Sequence, residues 1–164
     1  MGNAAHTIAT LFGIGYCPKA SGTAGSLAVM PFALAVAYLG GFWALLAWTI
    51  TLYVIGTATT KEVLKHSVDK DPSFVVIDEA CGQSLALLPL AAGIDKGAIY
   101  WPLIIAAFAL FRLFDIIKPW PACYFDRKVH SAHGVMLDDV AAAIYAIAAL
   151  YTAAVIAVIT FPPT

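Results

Sequence analysis

Apolar residues in this chain come in long runs, and the polar residues between the runs set the predicted elements. Residues 27–60 carry no charge. One helix over that stretch would reach about 50 Å, well past the roughly 30 Å hydrocarbon core of a bilayer. Gly40-Gly41 divides it, so the pattern predicts a hairpin of helices over 27–39 and 42–59. Pro31 lies near the start of the first, where proline is tolerated. A polar interlude (61–78) is followed by a short apolar segment (80–93) and a turn at Asp95-Lys96. Next come a span-length run (98–117) interrupted by Arg112 and Asp115, an amphipathic interfacial stretch (118–137) and a last apolar helix (140–161). Residues 1–26 are Gly-rich and read as loop, with room for one short helix near the beginning. The expectation is a single all-α domain over residues 1–164, a small polytopic helical membrane bundle of about five apolar segments.

Composition sharpens that picture. The chain is 62% hydrophobic and 12% charged, with a mean hydropathy of +0.86. Soluble domains carry roughly 45–50% apolar and about 25% charged residues. With so few charges a soluble fold could cover its surface only as a very hydrophobic oligomer, and lipid is the simpler cover. A net charge of −1 and a pI of about 6.4 leave no nucleic-acid footprint. Cys17, Cys81 and Cys123 are widely spaced, which excludes a disulfide framework or a zinc site and leaves them as small packing residues.

Basic residues set the expected orientation. If every apolar segment crosses, Lys19, Lys61, Lys65, Lys70, Lys118, Arg127 and Lys128 share one side, and Lys96 falls on the other. The basic side is expected to be cytoplasmic. No Lys or Arg precedes Lys19, so the start lacks the basic region of a secretory signal. A cytoplasmic N-terminus and insertion through internal segments are expected.

The informative residues are acids beside apolar helices. Asp78-Glu79 directly precede one predicted helix, Asp138-Asp139 directly precede the last, and Asp115 sits about one turn inside the end of another. Under the topology above, all five carboxylates meet at one membrane boundary. Each pair alone reads as a helix cap. A cap needs one oxygen, however, and a second boundary carboxylate costs desolvation unless something pairs it. Arg112 can pair Asp115 at i,i+3, but no basic residue adjoins the other pairs. A divalent cation would satisfy them all. An oxygen-only donor set suits Mg²⁺ or Mn²⁺ rather than Zn²⁺, and a Mg²⁺ shell completed by water and phosphate points to phosphoryl chemistry. His130 and His133 read as interfacial residues before ligands.

Phosphate holders are also on offer. The run SGTAGS (21–26), with Thr23 and Ser26, can turn backbone N–H groups and a helix dipole toward an oxyanion, with Lys19 beside it. Arg112 either binds phosphate or pairs with Asp115. In KPWP (118–121), Lys118 and Trp120 read as interface anchors, and the prolines turn the chain along the membrane surface.

Four blocks, FGIGYCPKASGTAGSL (12–27), VVIDEACGQ (75–83), FRLFDIIKPWP (111–121) and FDRKVHSAHGVMLDDVAA (125–142), occur in an order and spacing that resemble the phosphatidylglycerophosphatase A family. The likeness runs from about residue 12 to 150. Ser131-Ala132 stands where the family often has Gly-Gly, a loop variation. The resemblance implies Mg²⁺-dependent removal of the terminal phosphate of phosphatidylglycerophosphate, giving phosphatidylglycerol, at the bacterial inner (cytoplasmic) membrane. It also implies that some relatives accept phosphatidic or lysophosphatidic acid, and that a helical core is shared with soluble relatives.

Other phosphatase chemistries fail by inspection. A cysteine nucleophile needs Arg six residues on, where Cys17, Cys81 and Cys123 have Thr23, Leu87 and Val129. No D-x-D precedes a Thr or Val, and the signature of histidine-based lipid phosphatases is missing. Elimination leaves a metal-activated water, with an aspartyl phosphate at Asp139 or Asp78 as the minor route. The expected division has Asp78, Glu79, Asp115 and Asp139 forming the Mg²⁺ site. Asp138 is a ligand, a supporting partner or a cap. Glu79 orients the water, and Lys19 and Arg112 hold the phosphate. A small proton- or ion-coupled transporter is the competing class, since intramembrane acids mark transporters too, although those sit mid-membrane. A lipid-binding scaffold would not need two vicinal acid pairs.

Overall fold

The structure, a computed structural model, describes residues 2–69, 72–94 and 99–160. Among these residues every regular element is helical: α1 (Gly2–Ala9), a 3-10 turn (Ile14–Tyr16), α2 (Ser21–Leu64), α3 (Ile77–Ala86), α4 (Leu88–Ile94), α5 (Trp101–Ile117), α6 (Ala122–Lys128) and α7 (Ala132–Thr160). The turn expected at Asp95-Lys96, like Lys70, lies outside the described residues.

The 44 residues of α2 are two helical limbs joined at Gly41, whose φ of 63° and ψ of −152° leave the helix. Positive φ is a conformation glycine adopts at little cost. Contacts with α3 show that the chain turns back there. At the start of α3, Gly25 packs on Val76 and Gly22 on Glu79. Farther along, Ala33 and Ala37 share a buried cluster with Leu87 and Leu88. The second limb runs the other way: Trp48 donates to Ser84 Oγ (3.3 Å), Thr49 O accepts from Cys81 (3.6 Å), and Gly56 returns to Ile77. The expected hairpin is therefore present.

Several expected boundaries move. The first limb begins at Ser21, so SGTAGS forms its opening turns rather than a loop before it, and Pro31 lies mid-limb. The run 80–93 is two short helices, with α3 already started at Ile77. The last helix begins at Ala132 instead of 140, drawing the end of the interfacial stretch into it. Two helices, α2 and α7, are long and apolar enough to cross a membrane. Only 28% and 22% of their most apolar stretches is buried inside the protein, so each turns a long apolar face outward, which suggests association with a membrane. The count of five crossing segments is not confirmed: α3 has 10 residues, α4 has 7 and α5 has 17.

The buried interior is mostly small. Ala33, Ala37, Ala91 and Ala107 let the helices approach around Leu45, Leu87 and Ile104. A second cluster of Ala86, Phe111, Ala142, Ala143 and Ala146 seats α7 on α3 and α5. This packing carries the starts of α2 and α3, the end of α5 and the early part of α7 to one end of the bundle.

Candidate active site

At that end the structure forms a cleft of about 630 Å³ that is open to the outside. One wall is the segment from Gly15 to Gly22, and another is Ser73–Val75. Ser21 Oγ donates to Ser73 O (2.7 Å), and Val76 N–H donates to Ala9 O (2.9 Å), tying the start of α3 to the end of α1. His6, Phe74 and Tyr16 stack beside them, with ring centroids 5.0 and 5.9 Å from Phe74. The floor is polar: Asp78, Glu79, Arg112, Asp115, Lys118, Asp138 and Asp139.

Helix register decides where these acids point. Asp78 and Glu79 occupy the first turn of α3, and no side chain caps that helix at Val76. Asp138 and Asp139 lie well inside α7, so neither caps it. The capping explanation therefore fails for Asp138-Asp139, while Asp78 and Glu79 keep a first-turn position that favours the helix dipole without either being the N-cap. Ligand oxygens of Asp78, Glu79 and Asp139 lie within 4.8 Å of one another. Asp115, near the end of α5, is a hydrogen-bond neighbour of Asp139. Glu79 Oε2 and Asp139 Oδ2 are buried without a hydrogen-bond partner. Burial pushes the Glu79 carboxyl up to about 8, with the charges of Asp139 and Asp115 adding to the rise and the Asp78 hydrogen bond and Arg112 opposing it. Buried carboxylates this close repel unless a cation lies among them. The donor set is all oxygen, partly unsatisfied and compact, which fits Mg²⁺ or a similar hard cation.

Two cations face the acids. Arg112 Nη1 is 2.6 Å from Asp115 Oδ2, and both side chains are largely buried. Gly22 makes room for this arrangement. A Cβ there would land on Glu79 Oε1 and stand 3.0 Å from both terminal nitrogens of Arg112. Lys118 Nζ is 2.6 Å from Asp126 Oδ1 and 2.7 Å from Asp138 Oδ2. Burial lowers the Lys118 pKa, but the bonds to Asp126 and Asp138 outweigh that and hold it above the ordinary lysine value.

Comparison with known proteins meets this geometry. The family model for phosphatidylglycerophosphatase A matches residues 7–154. The chain belongs to the phosphatidylglycerophosphatase A family. It is 36% identical over 149 residues to the phosphatidylglycerophosphatase A of Haemophilus influenzae, covering 91% of this chain and 88% of the relative. It is 34% identical over 152 residues to that of Escherichia coli, covering 92% and 84%. A Bacteroides thetaiotaomicron protein named "Putative phosphatidylinositol-3-phosphatase" is 42% identical over 144 residues, covering 84% and 86%. No solved structure matches the chain. Members of this family are named as lipid phosphatases, which makes this chain an enzyme of that class.

In this phosphatidylglycerophosphatase A family member, the structure gathers Asp78, Glu79, Asp115, Asp138, Asp139 and Arg112 into one cavity, as the sequence pattern suggests. The remaining phosphate candidates lie differently. Lys19 is exposed, and its neighbours Pro18 and Ala20 line the cavity. Thr23 is half-buried, and Ser26 is fully buried with its hydroxyl donating to Gly22 O (2.9 Å). His130 and His133 are exposed and absent from the lining, and His133 hydrogen-bonds Tyr53 at 3.3 Å. Sequence reasoning missed Gly22 and read Lys118 as an interface anchor. Its ammonium instead turns into the site, while Trp120 is 73% exposed. No helical spacing signals this, because Lys118 lies past the end of α5 in a left-handed conformation.

Proposed function

We propose that this enzyme hydrolyses the terminal phosphomonoester of phosphatidylglycerophosphate to phosphatidylglycerol, using Mg²⁺, at the cytoplasmic boundary of the bacterial inner membrane. The observation that carries this reading is the meeting of Asp78, Glu79 and Asp139 with Arg112 and Lys118 in one cavity. It rests equally on the names of the relatives. In this reading the limbs of α2, the apolar runs 80–93 and 98–117, and α7 form the five crossings. The basic residues share the cytoplasmic side with the cavity.

Asp78, Asp139 and Asp115 would hold Mg²⁺, with Glu79 at the edge of the set. When bound, the ion supplies positive charge that offsets both the carboxylates and the incoming phosphate. Arg112, kept in place by Asp115, holds phosphate oxygens as charge builds on them. The first backbone N–H groups of α2 open on the same cavity and add the positive end of a helix dipole. Glu79 orients water in line with the phosphorus and accepts its proton. The water oxygen bonds to phosphorus as the bond to the glycerol oxygen breaks; the leaving oxygen takes a proton from solvent in the open cleft, and Glu79 returns the proton it accepted to solvent. Without a cation, burial and the neighbouring acids hold the Glu79 carboxyl up to about 8; a bound cation would favour its ionised form, the form that accepts the water's proton.

A transporter fits less well, because its acids belong at mid-membrane on broken helices, whereas these gather at one end of the bundle. The test is phosphate release by the detergent-purified protein from phosphatidylglycerophosphate, phosphatidic acid and phosphatidylinositol 3-phosphate, with Mg²⁺ and with chelator. Release from the first substrate with Mg²⁺ and none with chelator is expected. A preference for phosphatidylinositol 3-phosphate would move the substrate toward that of the Bacteroides relative's name. No release from any of the three would remove the phosphatase reading.

A further inference from the structure

Lys118 has no role in the division above, yet it faces the same cavity as Arg112. It follows the last turn of α5 with φ of 49° and ψ of 61°, a left-handed conformation that ends the helix. Its ammonium spans to α6 through Asp126 and to α7 through Asp138. A lysine ammonium has three donors, and these bonds take two. Asp138 is occupied on both sides, since its other oxygen accepts the backbone N–H of Asp139 at 2.9 Å. Asp138 is thereby drawn toward Lys118, away from the Asp78, Glu79 and Asp139 group.

We propose that Lys118 is a second phosphate-binding residue, held by Asp126 and Asp138 so that its third N–H donates to an oxygen of the substrate's phosphomonoester. The inference rests on the phosphatase reading of this cavity. Its physical sense is preorganisation. A free lysine side chain loses rotamer freedom on gripping a ligand, whereas one fixed by two carboxylates has already lost it. Arg112 from within α5 and Lys118 from its end then hold the phosphate from two positions, and the carboxylate group keeps the cation.

The alternative role for Lys118 is a brace between helices with no contact to substrate. Asp126 separates the two because it grips Lys118 but does not line the cavity. Asp126→Asn keeps an oxygen that accepts from Lys118 but removes a negative charge, so the lysine stays placed while its charge is less offset. Inorganic phosphate is the probe, read as a competitive inhibitor of lipid hydrolysis and as a shift in the thermal midpoint of the Mg²⁺-loaded full chain. The expected result for Asp126→Asn is phosphate binding tightened about threefold, the scale of a half-exposed charge. Unchanged or weaker binding overturns the proposal, and so does the same tightening when Asp126→Asn is added to Lys118→Gln, which would trace it to the lost charge alone. In Lys118→Gln/Asp126→Asn, which loses the cation and one carboxylate charge together, the phosphate inhibition constant and the lipid KM should both rise about 10- to 100-fold, the worth of a hydrogen bond to a charged group. Wild-type values in a folded double variant also overturn it. The midpoint shift needs no turnover, so a protein inactive on every lipid phosphate would sink the phosphatase reading while this binding test still decides.

Discussion

Asp78-Glu79 and Asp138-Asp139 look alike in the sequence, each a vicinal acid pair beside an apolar run, yet the fold treats them differently. The α3 pair stays together: both members belong to the buried floor, and Glu79 and Asp78 are hydrogen-bonded to each other. The α7 pair is divided. Asp139 joins the α3 acids, while Asp138 turns to Lys118. Neighbouring residues on a helix point about 100° apart, so two adjacent acids serve one site only where the helix end opens onto it. The first turn of α3 meets that condition. Asp138 and Asp139, inside α7, line the same cavity but point apart within it, and the second carboxylate acquires its own cation. Vicinal acids are thus one signal with two structural outcomes, decided by distance from a helix end.

Mutations can break that contrast. The largest loss is expected at Glu79, where removing a proton acceptor should cost turnover about 10²–10⁴-fold. Glu79→Gln should lower kcat to that extent while the Mg²⁺ concentration for half-maximal activity stays near wild type. Recovery of this variant by excess Mg²⁺ would make Glu79 a ligand instead. Next come the two halves of the divided pair. Asp139→Asn should weaken Mg²⁺ binding about 10- to 100-fold, with activity partly recovered at high Mg²⁺, while Asp138→Asn should leave Mg²⁺ affinity nearly unchanged and raise the lipid KM. Equal Mg²⁺ responses from the two variants would mean that the pair is not divided in the working enzyme.

A smaller effect concerns the protein without its cation. Glu79 holds its proton to about 8 in the folded chain, against an ordinary value of 4.5. Between those pH values the unfolded chain has released a proton that the folded chain keeps, so stability should fall as pH rises through that window and level off above it. Thermal midpoints in detergent with chelator, from pH 5 to 9, should show this decline. Glu79→Gln should flatten the curve, and so should saturating Mg²⁺. A midpoint that rises with pH in chelator would contradict the burial assigned to Glu79.

The helical class and the α2 hairpin were legible because uncharged runs and a Gly-Gly break are strong one-dimensional signals. The acids were legible too, since carboxylates beside apolar runs are costly enough to stand out. Helix starts were not. Ser21 and Ala132 begin their helices within polar or small-residue stretches whose propensities are neutral, and tertiary packing extends the helices there. The place of Lys118 was also hidden. Next to two prolines and a tryptophan it reads as a surface anchor, and only the left-handed turn after α5 swings it inward. Gly22 was hidden for a similar reason: its role is the space it leaves for Glu79 and Arg112, which meet it from distant parts of the chain.

The separation of Asp78 and Asp139 by 61 positions also orders the protein's biogenesis. Chains emerge from the ribosome N-terminus first, so the α2 hairpin and α3 are synthesised long before α7. Until α7 docks, Asp78 and Glu79 lack the third carboxylate of their group, so the proposed cation site would be incomplete in the nascent chain. If the proposed site carries the activity, catalytic competence arrives last, and a chain truncated before α7 would be inert rather than an unregulated phosphatase.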